Sequence, residues 1–189
     1  DPLLNVTNFE YDAKGNLFQI KDDNNTATEM TYLNNGLLET ITQAKGVPEL
    51  ENTTRFTYYA DTGNLWTTID PLSHTTEMTY DSKGLLTSLK QAKGVSGIEN
   101  TTTFQYDSTT GNLRKTIDPL TNETVLTYDS AGNLKTILDA EGKTTTYNYD
   151  SKNNNLTSVE DNLWNITEYH YDDLGNLTEV IDPKLQTTT

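Results

Sequence analysis

The sequence contains no cysteine, which excludes disulfides, thiolate metal sites and cysteine nucleophiles. Hydrophobic material is also scarce, because only 33% of the 189 residues are hydrophobic, too few for several buried layers. No apolar run approaches the roughly 18 residues that a helix needs to cross a bilayer. The chain is therefore predicted to have neither a deep core nor a membrane span. Its order has to come from regular backbone pairing and a thin apolar face.

Basic residues are few as well. Lys and Arg number 13 against 28 Asp and Glu, which gives a net charge of −15. A field of that sign repels phosphate backbones and anionic lipid surfaces, so nucleic acids and membranes are disfavoured as partners. We interpret the acidic surface as keeping a long sheet soluble. Calcium binding at Asp22-Asp23 or Asp172-Asp173 is the alternative interpretation.

The residues that catalytic and cofactor sites require are missing or isolated. The two histidines, His74 and His170, lie far apart in the sequence with no serine signature nearby, which disfavours a triad or a zinc site. Neither a G-x-G-x-x-G motif nor a P-loop occurs. The chain is therefore predicted not to be an enzyme, and no catalytic residue, cofactor or metal is expected.

What the sequence does contain is a tandem repeat. The copy that begins at Tyr128 reads Y-D-S-A-G-N-L-K-T-I-L-D, and related frames return along the whole chain. Two copies are followed by a shared insertion, which starts at Gln43 and again at Gln91 with the letters Q-A-K-G-V. The eight copies begin at Tyr11, Tyr32, Tyr58, Tyr80, Tyr106, Tyr128, Tyr149 and Tyr171.

Each copy has the local chemistry of a β-hairpin. Threonine, tyrosine and β-branched residues before Tyr128 favour a strand, and Asp129 to Gly132 favour a turn before the return strand. A second turn is predicted at the aspartate five residues after the repeat leucine, and a proline follows it in three copies. We interpret these acids as turn formers and not as paired catalytic carboxylates. They are Asp22, Asp70, Asp118, Asp139, Asp161 and Asp182.

The predicted fold is therefore all-β, a single array over residues 1–189 of tandem antiparallel β-hairpin repeats with about sixteen strands. A sheet of that many twisted strands is expected to be strongly curved or spiralling. The face assignment stays open, because Leu134 and Leu138 share one parity while Ile137 has the other. A regular β-bulge, or apolar contacts on both faces, would account for this pattern.

The repeat positions are the candidate functional residues, in a structural role. Tyrosines and leucines are expected to pack between successive hairpins, and glycines to permit the turns, with Asn154 in the glycine position of the seventh copy. These positions are Tyr11, Gly15, Leu17, Tyr58, Gly63, Leu65, Tyr106, Gly111, Leu113, Tyr128, Gly132, Leu134, Tyr149, Leu156, Tyr171, Gly175 and Leu177.

The Y-D-x-x-G-N-L frame with its downstream aspartate resembles the RHS/YD-repeat family in all eight copies. That family includes bacterial RHS and polymorphic toxins, the cocoon of ABC toxins, and teneurins. The resemblance implies a spiralling β-sheet that forms a hollow shell, which encloses a C-terminal toxic domain or presents a surface for adhesion and carbohydrate binding. The family's autoproteolytic core region has no match in this sequence, and eight repeats are fewer than full shells contain.

The resemblance implies a non-catalytic structural scaffold, part of the shell of a large secreted or cell-surface bacterial protein. The start at Asp1, in the phase of Asp118, indicates a fragment of a longer array whose signal lies outside it. Its partners would be the remainder of the parent chain and an enclosed C-terminal domain, with self-association through open sheet edges as a further expectation. The alternative is a carbohydrate- or protein-binding adhesion module, in which aromatic residues such as Trp66 and Trp164 stack on sugar rings.

Overall fold

The computed structural model describes residues 6–188, so the predictions that concern Asp1 and the other terminal residues lie outside the described part. These residues form seventeen β-strands and no helix. The strands are β1 (Asn8–Tyr11), β2 (Leu17–Lys21), β3 (Ala27–Tyr32), β4 (Leu38–Lys45), β5 (Asn52–Tyr58), β6 (Leu65–Ile69), β7 (Thr75–Tyr80), β8 (Leu86–Gln91), β9 (Asn100–Tyr106), β10 (Leu113–Ile117), β11 (Glu123–Tyr128), β12 (Leu134–Leu138), β13 (Thr144–Tyr149), β14 (Leu156–Glu160), β15 (Ile166–Tyr171), β16 (Leu177–Ile181) and β17 (Thr187–Thr188). The predicted all-β class is confirmed.

The chain divides into two compact units, Asp1–Thr101 and Thr102–Thr189, called here the N-terminal and the C-terminal unit. In the N-terminal unit, β1 to β8 pair in chain order, each antiparallel to the next. In the C-terminal unit, which contains β9 from Thr102 onward, β9 to β17 pair in the same way. The predicted tandem antiparallel hairpins are confirmed in each unit.

Every one of the eight hairpins carries a β-bulge at the same place. In the hairpin of β11 and β12, Tyr128 pairs with Leu134 and Thr127 pairs with Thr136, so Lys135 is the extra residue. The same shift occurs in the other seven hairpins. Because the extra residue reverses the alternation, Leu134 and Ile137 lie on one face of the sheet. The regular bulge left open by the sequence is thereby confirmed.

The bulges sort the side chains onto two faces, which we call the tyrosine face and the charged face. The tyrosine face carries the repeat tyrosine and leucine of each hairpin with residues such as Leu126 and Ile137. In each unit, every charged strand residue with a direct cross-strand partner lies on the opposite face, as Glu77 and Lys90 do. The tyrosine face is therefore uncharged over the paired strands.

Little of the described chain is deeply buried. Only Ala27 and Met78 count as buried hydrophobic residues, and no described side chain is less than 2% exposed. Three polar residues, Gln19, Thr42 and Thr67, are also buried. The Gln19 amide donates to Glu29 at 2.8 Å, and the hydroxyls of Thr42 and Thr67 bond to threonines on neighbouring strands. The thin apolar layer expected from the composition is what the described residues have.

Candidate functional site: tyrosine contacts between hairpins and aspartate turns

An aspartate organises the first turn in six of the eight hairpins, and Leu33 and Tyr59 take its place in the second and third. In the turn after β11, Asp129 Oδ1 accepts the backbone N–H groups of Ala131 and Asn133, both at 2.9 Å. The Asn133 side-chain amide donates to Asp129 Oδ2 at 3.0 Å. These bonds favour the carboxylate and hold the pKa of Asp129 below its ordinary value, with the Asn133 side chain as the largest cause. The Asp and Asn of the repeat frame thus form one hydrogen-bonded unit.

The second turns, which connect one hairpin to the next, repeat this arrangement at the opposite ends of the strands. Asp118 Oδ1 accepts the N–H groups of Leu120 and Asn122, and Asn122 donates its amide to Oδ2. The six predicted second-turn aspartates are all confirmed as turn residues. Equivalent bonds involve Asp22, Asp70, Asp139, Asp161 and Asp182.

The sequence did not reveal a left-handed residue in each second turn. Counted from the aspartate as the first residue, the fourth residue has positive φ in all six second turns. Only one of these six residues is a glycine, so glycine did not mark the left-handed position in the sequence. The values are +65° at Asn25, +68° at Ser73, +68° at Thr121, +79° at Gly142, +66° at Trp164 and +62° at Leu185. The aspartate bonds on both sides of this residue hold it there.

Four of the repeat tyrosines connect their hairpin to the preceding one by a hydroxyl hydrogen bond. The Tyr128 hydroxyl donates to the Leu113 carbonyl oxygen, 3.0 Å away in the preceding hairpin. The same bond in the N-terminal unit joins Tyr32 to Leu17 at 2.7 Å and Tyr80 to Leu65 at 2.9 Å. Tyr58 donates likewise to Leu38 at 2.7 Å. The acceptor is the leucine that opens the preceding return strand, a contact that spacing alone did not show.

The remaining predicted repeat positions occupy the same places in their own hairpins. Tyr106, Tyr149 and Tyr171 end their strands opposite Leu113, Leu156 and Leu177. Tyr11 pairs with Leu17 but is 60% exposed. The turn glycines all have positive φ, and Asn154 has +57° at the equivalent position; the glycines are Gly15, Gly63, Gly111, Gly132 and Gly175.

The charged face is held by threonine pairs and ion pairs. Thr127 and Thr136 share a hydroxyl bond of 2.6 Å across the strands, and Thr57 and Thr67 share one of 2.7 Å. Lys115 Nζ lies 2.7 Å from Glu123 Oε2. Such cross-strand pairs contribute to the stability of a sheet.

The two insertions form the same loop. Glu51 accepts the backbone N–H of Gly46 at 2.8 Å, and Glu99 accepts that of Gly94 at 2.6 Å. Each of these bonds is the largest cause of a lowered pKa at its glutamate. The carboxylates close loops whose sequences match, as expected from a duplicated segment.

The aromatic residues outside the repeat frame differ in surroundings. Trp66 is the bulge residue of its hairpin, and its ring lies 5.8 Å from that of Tyr59. Tyr59 also contacts Tyr80 edge to face at 6.2 Å. Trp164, in contrast, lies in a second turn and is 82% exposed. Trp66 therefore has aromatic neighbours within its own unit, whereas Trp164 is largely open to solvent.

Each histidine lies beside acidic residues of its own unit. His74 Nδ1 lies 2.9 Å from Asp70 Oδ2 in their shared turn. His170 Nε2 lies 3.8 Å from Glu168 Oε2 and 4.0 Å from Glu179 Oε2. Within residues 6–188, no group of three or more His, Asp and Glu is arranged to hold a metal ion. That part of the chain also has no helix long and apolar enough to cross a membrane.

Comparison with known proteins gives matches in sequence family and in structure. The Teneurin YD-shell family model matches residues 70–189. The TcdB2-TccC3-Cdc42 crystal structure matches with a TM-score of 0.60 at 16% identity, and the TcdB2-TccC3 crystal structure with 0.57 at 16%. The Tc holotoxin pore of Photorhabdus luminescens matches with 0.60 at 16%. Each match covers 94% of this chain but only 11% or 12% of the other. No curated protein sequence matches the chain.

Proposed function

The chain belongs to the Teneurin YD-shell family, and from this membership we propose that it serves as a non-catalytic wall segment of a β-sheet shell. The observation that carries the proposal is the hydroxyl bond that joins four of the hairpins to the hairpin before them. In Tyr32, Tyr58, Tyr80 and Tyr128 the hydroxyl donates to a leucine carbonyl of the preceding hairpin. A wall built from repeats needs such contacts, because each repeat touches only its neighbours.

The separation of charge between the faces supports the same role. The paired strand residues of the tyrosine face carry no charge, whereas the ion pairs of the strands lie on the other face. A wall has one surface toward its contents and one toward solvent. We infer that the tyrosine face is the inner surface of the shell and the charged face its outer surface.

The finer proposal concerns the parent protein. The chain spans 11% or 12% of the toxin chains that it matches in structure, which supports a place within a longer chain. We propose that the parent is a large secreted or surface protein and that its shell encloses or displays a toxin or effector domain. The remainder of the parent chain and that domain would then be the partners of this segment.

The test is cryo-electron microscopy of the full-length parent chain. The proposal predicts a hollow β-sheet particle with these hairpins in its wall and the tyrosine face toward the lumen. A solid domain at this place, or hairpins that project freely from the particle, would reject the shell role.

A second candidate function is glycan binding, and one cleft of the N-terminal unit favours it. The cleft, of about 430 Å³, lies between the first turns of two hairpins and is lined by Tyr59, Asp61, Thr62 and Asn64 among others. A ring beside several hydroxyl, amide and carboxyl groups is typical of sugar sites. Saturable binding on a glycan array, lost in Asn64→Ala, would support this candidate, and binding unaffected by that substitution would exclude this cleft.

A further inference from the structure

Trp164 combines two features that a stabilising residue does not need. Its backbone has φ +66°, in the left-handed region, and its side chain is 82% exposed. The neighbouring second turn has Gly142 at the same position, with φ +79°. A bulky residue with this φ costs about 1 kcal/mol or more, and exposure of the indole to water adds a further cost. Leu185 has a similar φ of +62° and is 83% exposed, so the turn itself accounts for the backbone, and the exposed indole is what distinguishes Trp164.

Trp66, the other tryptophan, has an indole that is held by partners within the protein. Trp66 packs against the Tyr59 ring, and its Nε1 donates to Glu77 at 3.3 Å. Glu77 is in turn neutralised by Lys93 at 2.6 Å. Within the described residues, Trp164 has neither a ring partner nor a side-chain hydrogen bond. Its indole is therefore available to an external group.

A cleft of about 340 Å³ lies beside Trp164, between the turns at 139–142 and 161–164. Thr144, Thr146, Glu160 and Asp161 line it with Trp164. The Asp161 carboxylate is occupied by the N–H groups of its own turn and by the Asn165 amide. Glu160 forms no ion pair with any described residue. The cleft thus combines an exposed indole with one carboxylate that lacks a cation.

We propose that this cleft binds an arginine side chain of a partner polypeptide. A guanidinium group stacks on an indole face by a cation–π interaction and bonds to a carboxylate through two N–H groups. The net charge of −15 attracts cationic segments and repels anionic membranes. A neutral sugar would leave Glu160 without a counterion. The proposal adds a specific partner contact on the charged face to the wall role.

The experiment uses the 189-residue protein and follows its two indole N–H signals by ¹⁵N NMR. The signals are assigned with Trp66→Phe and Trp164→Phe. The probe is N-acetyl-arginine methylamide, with the citrulline analogue as an uncharged control of the same shape. The expected result is a saturable shift of the Trp164 signal with the arginine probe and no shift of the Trp66 signal. Glu160→Gln should weaken the binding about threefold, the effect of one exposed charge pair.

Trp164→Gly distinguishes a binding role from a structural one. Glycine relieves the backbone strain, so this variant should unfold at a higher temperature and yet bind the probe too weakly to measure. Leu185→Gly is the matched control, because it relieves the same strain at φ +62° in another turn and should bind as the wild type does. Equal shifts with arginine and citrulline, no shift of the Trp164 signal, or full binding by Trp164→Gly would each overturn the proposal.

Discussion

At the scale of single residues, the aspartates and the left-handed residues of the turns determine how the chain folds back. Each turn aspartate accepts backbone N–H groups two and, in most turns, four residues ahead, which fixes the residue between them at positive φ. Only glycine adopts that φ without cost. Where Thr121, Trp164 or Leu185 stands instead, the turn geometry is imposed by the aspartate and the strands.

Thr121→Gly should therefore stabilise the protein, and Gly142→Ala should destabilise it. Each change is expected to shift the free energy of unfolding by about 1 kcal/mol, in opposite directions, because only the left-handed backbone differs. A Cβ added at Gly142 would meet no atom within 4 Å, so steric clash does not contribute. Urea unfolding measures both. A loss of stability in Thr121→Gly would show that the threonine side chain contributes more than its strained backbone costs.

Asp129→Ala should lower the melting temperature more than Asp129→Asn. The alanine variant loses the acceptor for the N–H groups of Ala131 and Asn133, whereas asparagine retains one acceptor oxygen at Oδ1. Differential scanning calorimetry of the two variants gives the comparison. Identical melting temperatures for the alanine variant and the wild type would mean that the turn does not depend on this aspartate.

At the scale of elements, the hairpins are joined by tyrosine hydroxyls across the bulged strands. Tyr128→Phe removes the 3.0 Å bond to Leu113 and leaves the half-buried carbonyl without this donor. We expect a loss of about 1 kcal/mol in the free energy of unfolding. Tyr11→Phe is the matched control, since Tyr11 is 60% exposed and donates no hydroxyl bond to any described hairpin, and it should be neutral. Equal effects of the two substitutions would exclude a stabilising role for the bond to Leu113.

Much of the element scale could be predicted from the sequence, because the repeat is a local signal. The tyrosine, aspartate and glycine of each copy lie within one hairpin, so their spacing marked the strands and both turns. The sequence could not distinguish a regular β-bulge from apolar contacts on both faces, because the spacing of Leu134, Ile137 and Leu138 fits either explanation. The hydroxyl bond from Tyr128 to Leu113 depends on how two hairpins lie beside each other, and no periodicity records it. The second-turn geometry at Trp164 was missed because its residue type argues against positive φ.

At the scale of the whole molecule, stability should depend on pH at both ends of the range. The pKa values of Asp12, Asp118, Asp129, Asp161 and Asp172 are lowered, chiefly by hydrogen bonds from the asparagine four residues ahead. A lowered folded-state pKa gives stability that is present above the unfolded pKa of about 4 and is lost as the pH falls below it. The melting temperature should therefore drop on acidification below about pH 4. A melting temperature that stays constant down to pH 2 would contradict this account of the turns.

At alkaline pH the tyrosines should make the protein less stable as the pH rises, whereas the aspartates make it less stable as the pH falls. Burial raises the pKa of Tyr58, Tyr80 and Tyr149, so the neutral phenol is favoured in the folded state. This stability is present below the unfolded pKa of about 10 and is lost as the pH rises through the folded-state values. Spectrophotometric titration at 295 nm should show part of the tyrosine ionising only together with unfolding. Complete ionisation of all tyrosines in one step before unfolding would argue against raised pKa values for these half-buried phenols.

The central claim is that, within each unit, neighbouring hairpins hold one another in place through contacts such as the bond from Tyr128 to Leu113. Amide hydrogen exchange of Tyr128→Phe, followed residue by residue by NMR, tests this claim most directly. The predicted result is faster exchange in the two hairpins that this bond joins, β9–β10 and β11–β12, with exchange in the β15–β16 hairpin less affected. Exchange as slow as in the wild type in both joined hairpins would contradict the claim.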